Sequence, residues 1–258
     1  MSAHTLKPYR IVATIEARMT SSRLPGKVLM TAGGKPMLQI LVERLRRSAY
    51  IDDIVVATTT NAQDEPIVAF CNSFGIQVFR GSELNVLERV CGAAQAAQAQ
   101  VLVEITGDCP LIDPVLADGV IEAFIEQFPE RRYISNTGPE ISMPWGFDVQ
   151  VFWAEDLYAI NADNPDDDDK EHVSYRFYRP DSGDRYKPYF IRYTGELNRP
   201  ELRVTLDYQE DYELIKAAYE ALAPVNPAFG AVDVIRWLDL HTDLRDAAIA
   251  VRNIAVRN

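Results

Sequence analysis

Cysteine is scarce in this chain. Cys71, Cys91 and Cys109 are odd in number and scattered, which excludes a disulfide scaffold and points to a reducing, cytoplasmic setting. Histidine is as rare, and His4, His172 and His241 stand too far apart for zinc-ligand spacing. No apolar run approaches the roughly 20 residues of a membrane span. Met1–Arg10 lacks the long apolar core of a secretory signal, so neither a membrane protein nor an exported one is expected. Neither GxxxxGK[ST] nor GxGxxG occurs, so neither common phosphate-loop pattern is present. There is no internal repeat. Positive charge is the remaining shortage: 26 Lys/Arg face 38 Asp/Glu, a net charge of −12 that disfavours general binding to a nucleic-acid backbone.

What is present is ordinary for a folded soluble chain: 258 residues, 47% hydrophobic and 25% charged. The charge is uneven. Residues 1–50 hold nine Lys/Arg against two Asp/Glu, and the remainder 17 against 36. One basic end on an acidic protein suits a local anionic ligand such as nucleotide phosphates, although a chance surface asymmetry looks the same.

The first half alternates strand and helix. Tyr9–Ile15, Ile54–Thr58, Gln77–Phe79 and Val101–Ile105 read as strands. Helices follow from Pro36, with Met37, Leu38, Leu41 and Leu45 on one face, and over Glu65–Phe74, Asn85–Ala99 and Pro114–Phe128. Helices of this length between strands imply a mixed, mostly parallel sheet flanked by helices, with ligands bound outside the carboxyl ends of the strands. The second half is less regular. Arg132–Asn136, Asp148–Trp153, Tyr189–Tyr193 and Arg203–Leu206 read as strands, and Gln209–Leu222, Ala231–Leu240 and Leu244–Ile254 as closing helices. We therefore expect one domain over 1–258, its core in 9–130 and 201–258. Residues 131–200 extend the sheet and carry a small insertion, a lid or an oligomer contact.

Three segments could carry chemistry. Glu16–Val28, EARMTSSRLPGKV, follows a buried strand and sets Arg18, Arg23 and Lys27 among the small residues Ser21, Ser22 and Gly26. Small residues let backbone N–H groups approach an anion, and three cations can neutralise a polyphosphate. Thr106–Asp113, TGDCPLID, places Asp108 beyond another strand. On its own Asp108 reads first as a turn residue before Pro110; beside phosphates it would need a bridging Mg2+. Arg203–Asp211, RVTLDYQED, places Asp207 where it could cap the next helix, supply a second carboxylate to that metal, or both. The run Asp166–Asp169 reads as a solvated loop before a helix from about Lys170, with neither EF-hand spacing nor its Gly. Trp145 reads equally as a sugar-stacking or a structural aromatic. Cys109 has no partners that would make it a nucleophile.

The order of these segments resembles a known family. ARMTSSRLPGK, AGGKPML, IVVATTTN, FRGSELNVLER, ITGDCPLIDP, WGFDVQVF, KEHV and RVTLDYQEDYELI occur in sequence from about Arg10 to Leu240. Their order resembles the cytidylyltransferase family that includes the spore coat polysaccharide protein SpsF. More distantly it is similar to the CMP-Kdo and CMP-sialic acid synthetases. The resemblance implies a GT-A-like nucleotide-diphospho-sugar transferase fold, use of CTP with Mg2+, and often a homodimer. It implies that Arg18, Arg23 and Lys27 bind the triphosphate, with Ala17 and Ser22 near the nucleotide and Arg80 and Ser82 near the base. Arg18, Lys27 and Asp108 would be catalytic, and Asp108 and Asp207 the metal ligands. Asp148, Glu171 and His172 would face the sugar acid. Two positions depart from the family, which commonly has Gln in place of Glu16 and Arg in place of Glu104. Either these carboxylates pair with Arg18 or Arg23, or the acceptor differs from the commonest one.

The expected activity is transfer of CMP from CTP to a 3-deoxy-ulosonic or nonulosonic acid, releasing pyrophosphate for surface glycan synthesis. The alternatives are a GT-A-type glycosyltransferase, although GDCP stands where Asp-x-Asp would be expected, and a nucleotidyltransferase acting on a sugar phosphate or phosphonate, although GGxGTRL is absent. A non-catalytic nucleotide-binding protein is the fourth reading. No nucleic acid or membrane partner is expected.

Overall fold

The computed structural model describes residues 9–255, so His4 and most of Met1–Arg10 lie outside it. Strand β1 (Ile11–Glu16) is buried along almost its whole length, as its apolar IVATI requires. A two-residue hairpin, β2 (Thr31–Ala32) and β3 (Lys35–Pro36), turns through Gly33 and Gly34, both at positive φ. Helix α1 (Met37–Leu45), β4 (Asp53–Thr59), α2 (Glu65–Ser73), β5 (Gln77–Gly81), α3 (Val86–Ala96), β6 (Val101–Thr106) and α4 (Pro114–Glu126) complete the alternating half. Then come β7 (Tyr133–Ser135), β8 (Gln150–Trp153), α5 (Ala154–Ala162), α6 (Asp167–Glu171), β9 (Tyr189–Phe190), α7 (Gln209–Leu222), α8 (Ala231–Leu240) and α9 (Thr242–Ala255).

Among the described residues the main sheet runs β5-β4-β1-β6-β8-β7-β9. The first four strands are parallel, β8 is antiparallel to β6 and to β7, and β9 is parallel to β7. This is the mixed, mostly parallel sheet expected. The chain builds outward from β1 through β4 to β5, then returns to lay β6 on the other side of β1. That reversal opens a crevice at the carboxyl ends of β1 and β6, the usual ligand position in open α/β sheets.

The two sheet faces differ. Ile11, Ala13 and Ile15 with Val101, Val103 and Ile105 pack on Leu38, Leu41, Ile67, Val120 and Phe124. The opposite face is apolar at Val12 and Leu102, which pack on Leu87, Val90 and Ala94 of α3. Towards the carboxyl ends that face turns polar: Thr14 pairs in register with Glu104, and Glu16 with Thr106.

Several readings need correction. Helix α1 does not bury one stripe. Leu38, Leu41 and Leu45 face the sheet, while Met37 and Ile40 pack among Leu214, Ile215, Phe229 and Val234, because the C-terminal helices cover its other side. Arg203–Leu206 is extended but not a strand. Its one ladder contact is a bridge from Arg203 to Trp145, and the Leu206 N–H is spent on the Asp108 carbonyl. Its buried Leu202, Val204 and Leu206 mimic strand periodicity by filling a core under a loop. The acidic run is not a solvated loop. Asp166 caps α6, and Asp169 is 1% exposed and bonded to both Arg176 and Arg179. Helix α6 begins at Asp167 rather than near Lys170, and α5 has no counterpart among the expected helices. No described helix is long and apolar enough to cross a membrane, and the three cysteines are free and buried.

Candidate active site

A cavity of about 400 Å³ opens at the crevice. One wall is the loop after β1. Asp64 anchors that loop by accepting the Met19 N–H at 2.6 Å and the Thr59 hydroxyl. Gly26 closes the loop at φ 72°, its N–H donating to the Met19 carbonyl at 2.9 Å. That left-handed turn, open to glycine at no steric cost, directs Lys27 inward. Ala17, Arg18, Ser21, Ser22, Arg23 and Lys27 all line the cavity. The floor includes Gly107. A Cβ there would meet the Glu16 carbonyl oxygen at 2.4 Å, so glycine is required where the two strand ends meet.

Lys27 joins the two ends of the site. Its ammonium lies 2.9 Å from Asp207 Oδ1 and 3.8 Å from Asp108 Oδ2. Arg203 donates to Asp207 Oδ2 at 2.6 Å, and Arg23 stands 3.7 Å from Oδ1. Burial opposes ionisation of Asp207, but Lys27, Arg203 and Arg23 outweigh it and hold its pKa below the ordinary value. Asp207 does not cap α7. Tyr208 stands at the N-cap, and Asp211 in the first turn reaches back to accept the N–H groups of Asp207 and Tyr208 at 2.9 Å, which leaves the Asp207 carboxylate for the cavity. Asp108 accepts from Thr106 Oγ1.

Two carboxylates therefore converge on the Lys27 ammonium, and Asp207 is also held by Arg203 and Arg23. Among the described residues no group of three His, Cys, Asp or Glu forms a metal cage. Two hard oxygen ligands beside a basic, open cavity suit Mg2+, which takes one or two carboxylates and completes its shell with phosphate and water.

Not every residue expected at the site lines it. Glu171, the last residue of α6, and His172 just after it do, both exposed. Arg80, Ser82 and Asp148 do not. Arg80 donates to the carbonyls of Thr59 and Asn61 and pairs with Glu65. Ser82 accepts the Asn85 N–H. Asp148 accepts from Thr137 and the Gly146 N–H, holding the turn before β8. Trp145 is likewise outside the lining, bonded through its backbone to Leu202 and Val204. Burial pushes the Cys109 thiol well up, which suits an inert side chain.

The structure adds residues the motifs did not single out: Arg89 on α3, Gln150 on β8, and Ser174 and Tyr178 beyond α6. Gln150 Oε1 accepts from Ser174 at 2.6 Å and from Tyr133. Arg89 is itself buried on α3 among Val90, Ala93 and Ala94, a cation in an apolar run, which was a readable signal. Glu16 and Glu104 also line the cavity, but neither pairs with Arg18, whose partner is Glu83 at 3.6 Å, nor with Arg23. Among the described residues both Glu16 oxygens and Glu104 Oε2 are buried without a hydrogen-bond partner.

Burial raises the Glu104 pKa to about 7 against the Ser174 hydrogen bond, and burial together with Glu104 raises Glu16 against the pull of Arg89. A folded carboxyl that keeps its proton to about pH 7, where the unfolded chain loses it near 4.5, stabilises the fold below 4.5 and loses that contribution as pH rises through 7. The loss amounts to about 3 kcal/mol. Glu104→Gln should therefore leave the melting temperature unchanged at pH 4 and raise it by about 5 °C or more at pH 8. Parallel calorimetric melting curves for both proteins across pH 4–8 would refute this.

A family model described as Cytidylyltransferase matches residues 12–221. The chain is 36% identical over 238 residues to the spore coat polysaccharide biosynthesis protein SpsF of Bacillus subtilis, covering 90% of this chain and 95% of that protein. It is 35% identical over 122 residues to the 3-deoxy-manno-octulosonate cytidylyltransferase of Solibacter usitatus, covering 46% of this chain and 47% of that one. Among solved structures, a cytidylyltransferase from Leptospira borgpetersenii serovar Hardjo-bovis superposes with a TM-score of 0.82 at 27% identity, over 92% of this chain and 97% of that one. The architecture is that of the GT-A-like nucleotidyltransferases.

Proposed function

We propose that this chain, which belongs to the cytidylyltransferase family and is a nucleotidyltransferase enzyme, transfers CMP from CTP to a sugar acid and releases pyrophosphate. The observation that carries this reading is the pairing of a basic loop with two carboxylates in one cavity. Arg18, Arg23 and Lys27 suit a triphosphate, and Asp108 and Asp207 suit the cation that accompanies one. The 3-deoxy-manno-octulosonate cytidylyltransferase among its relatives supports a 3-deoxy-ulosonic or nonulosonic acid as acceptor, and SpsF supports a surface polysaccharide as destination.

The chemistry asks little covalent work of the protein. An acceptor hydroxyl attacks the α-phosphorus, its proton passes to water in the open cavity, and the bond to pyrophosphate breaks. Arg18, Arg23 and Lys27 stabilise the charge that grows on the leaving group. The loop brings these cations to one wall of the cavity, with Lys27 enclosed and Arg18 and Arg23 half-exposed, so the charge is in place before the reaction. Asp108 and Asp207 would hold Mg2+, which when bound neutralises phosphate oxygens and makes a nearby hydroxyl more acidic. Arg203 and Asp211 keep Asp207 turned to the cavity.

The test is pyrophosphate release with Mg2+, each of the four nucleoside triphosphates, and a panel of ulosonic and nonulosonic acids. Release is expected with CTP and an acid acceptor together. Release with a different nucleotide, or none with any pair alongside cleavage of a nucleotide sugar, would overturn the proposal.

A further inference from the structure

The part of the cavity lined by Glu16 and Glu104 has a chemistry that the triphosphate reading leaves unassigned. Glu16 ends β1 and Glu104 lies near the end of β6, and their register places both carboxyls on the same sheet face, one step apart diagonally. Glu104 is 5% exposed. Both side chains line the cavity, and three of their four oxygens are buried with no donor among the described residues. Buried acceptors of this kind are costly unless something donates to them.

The groups facing this pair are few. Arg89 approaches from α3, but one terminal nitrogen is committed to the Ser82 carbonyl, and its Nε makes no hydrogen bond among the described residues. Ser174 donates to Gln150 and its hydroxyl also stands against Glu104, while Tyr133 donates to Gln150 from β7. Tyr178, Glu171 and His172 form the outer wall, and Asp108 adds negative charge from the loop after β6. Two carboxyls thus face a single guanidinium.

We propose that this part is a subsite for an ammonium group, and therefore that the acceptor is an amino-bearing sugar acid; this rests on the nucleotidyl-transfer reading above. An ammonium brings three N–H donors to the three unpaired oxygens, and its positive charge favours ionisation of carboxyls that burial otherwise keeps protonated. An N-acyl group would remove the charge and press a carbonyl against acceptor oxygens. The acceptor's own carboxylate would meet like charge here, so it sits elsewhere in the cavity.

The experiment uses the full chain and a panel of 3-deoxy-ulosonic and nonulosonic acids in free-amine, N-acetyl and hydroxyl forms. Binding is followed by calorimetry, and pyrophosphate release with CTP and Mg2+ is followed in parallel. At least one free-amine acid is expected to bind about 30-fold more tightly than its N-acetyl and hydroxyl counterparts. Glu16→Gln and Glu104→Gln keep side-chain volume and are each expected to reduce that preference to about threefold or less, with melting curves confirming that both fold. Equal binding of the three forms, or a preference that survives both substitutions, overturns the subsite. Amine-selective binding without pyrophosphate release would remove the transfer reading and keep the subsite. Release without amine selectivity would do the reverse.

Discussion

Asp207→Asn and Asp108→Asn should each lower turnover about a thousandfold or more while leaving the fold intact. The magnitude follows from the role assigned: removing one of two anionic ligands from a site that stabilises phosphoryl charge costs about 4 kcal/mol of transition-state stabilisation. Survival of the fold follows from the contacts around each carboxylate. Without the Asp207 charge, Arg203 still has Asp211 at 3.1 Å, and Lys27 still has Asp108. Without the Asp108 charge, its backbone carbonyl still accepts the Leu206 N–H at 2.8 Å. Circular dichroism should therefore match the parent, while the Mg2+ concentration needed for half-maximal pyrophosphate release rises. A purified variant that folds and turns over at the parent rate would remove the carboxylate pair from the mechanism.

How far the sequence foretold this site depends on distance along the chain. The basic loop was legible because its chemistry is contiguous: three cations and three small residues directly follow a strand, and strand ends face ligands in such sheets. Asp207 was legible as a charge but not as a geometry. Its place depends on Leu206 reaching back to Asp108 and on Arg203 and Asp211 gripping it, a set of contacts that no local pattern records. Arg80 shows the opposite failure. It matches a family position, yet its guanidinium is spent on the carbonyls that follow β4. Asp169 shows how composition misleads, since a run of aspartates looks solvated until two arginines from the following segment bury one of them. Glu104 was visible all along as a carboxylate inside VLVEI, but only the sheet register shows that Glu16 stands beside it.

Lys27 offers the sharpest distinction between a structural and a catalytic cation. Its side chain is 13% exposed and its ammonium is enclosed by Asp108 and Asp207. A merely structural lysine would hold those carboxylates together, and its loss would weaken everything they bind. A lysine that meets the leaving pyrophosphate predicts a different pattern. Lys27→Met keeps the apolar stem that packs in the cavity and removes only the charge. Turnover should then fall by about 10²- to 10³-fold, the usual effect of losing one preorganised charge at a reacting group. The affinity for Mg2+ should rise, because two carboxylates lose a competing cation. Lys27→Arg should recover part of the turnover, since the charge returns on a broader, planar group that fits the phosphate less well at this depth. The aspartate variants lose turnover and Mg2+ affinity together, whereas Lys27→Met should separate them. If Lys27→Met instead lowers both, Lys27 is a strut for the carboxylates, and Arg18 and Arg23 carry the phosphate charge without it.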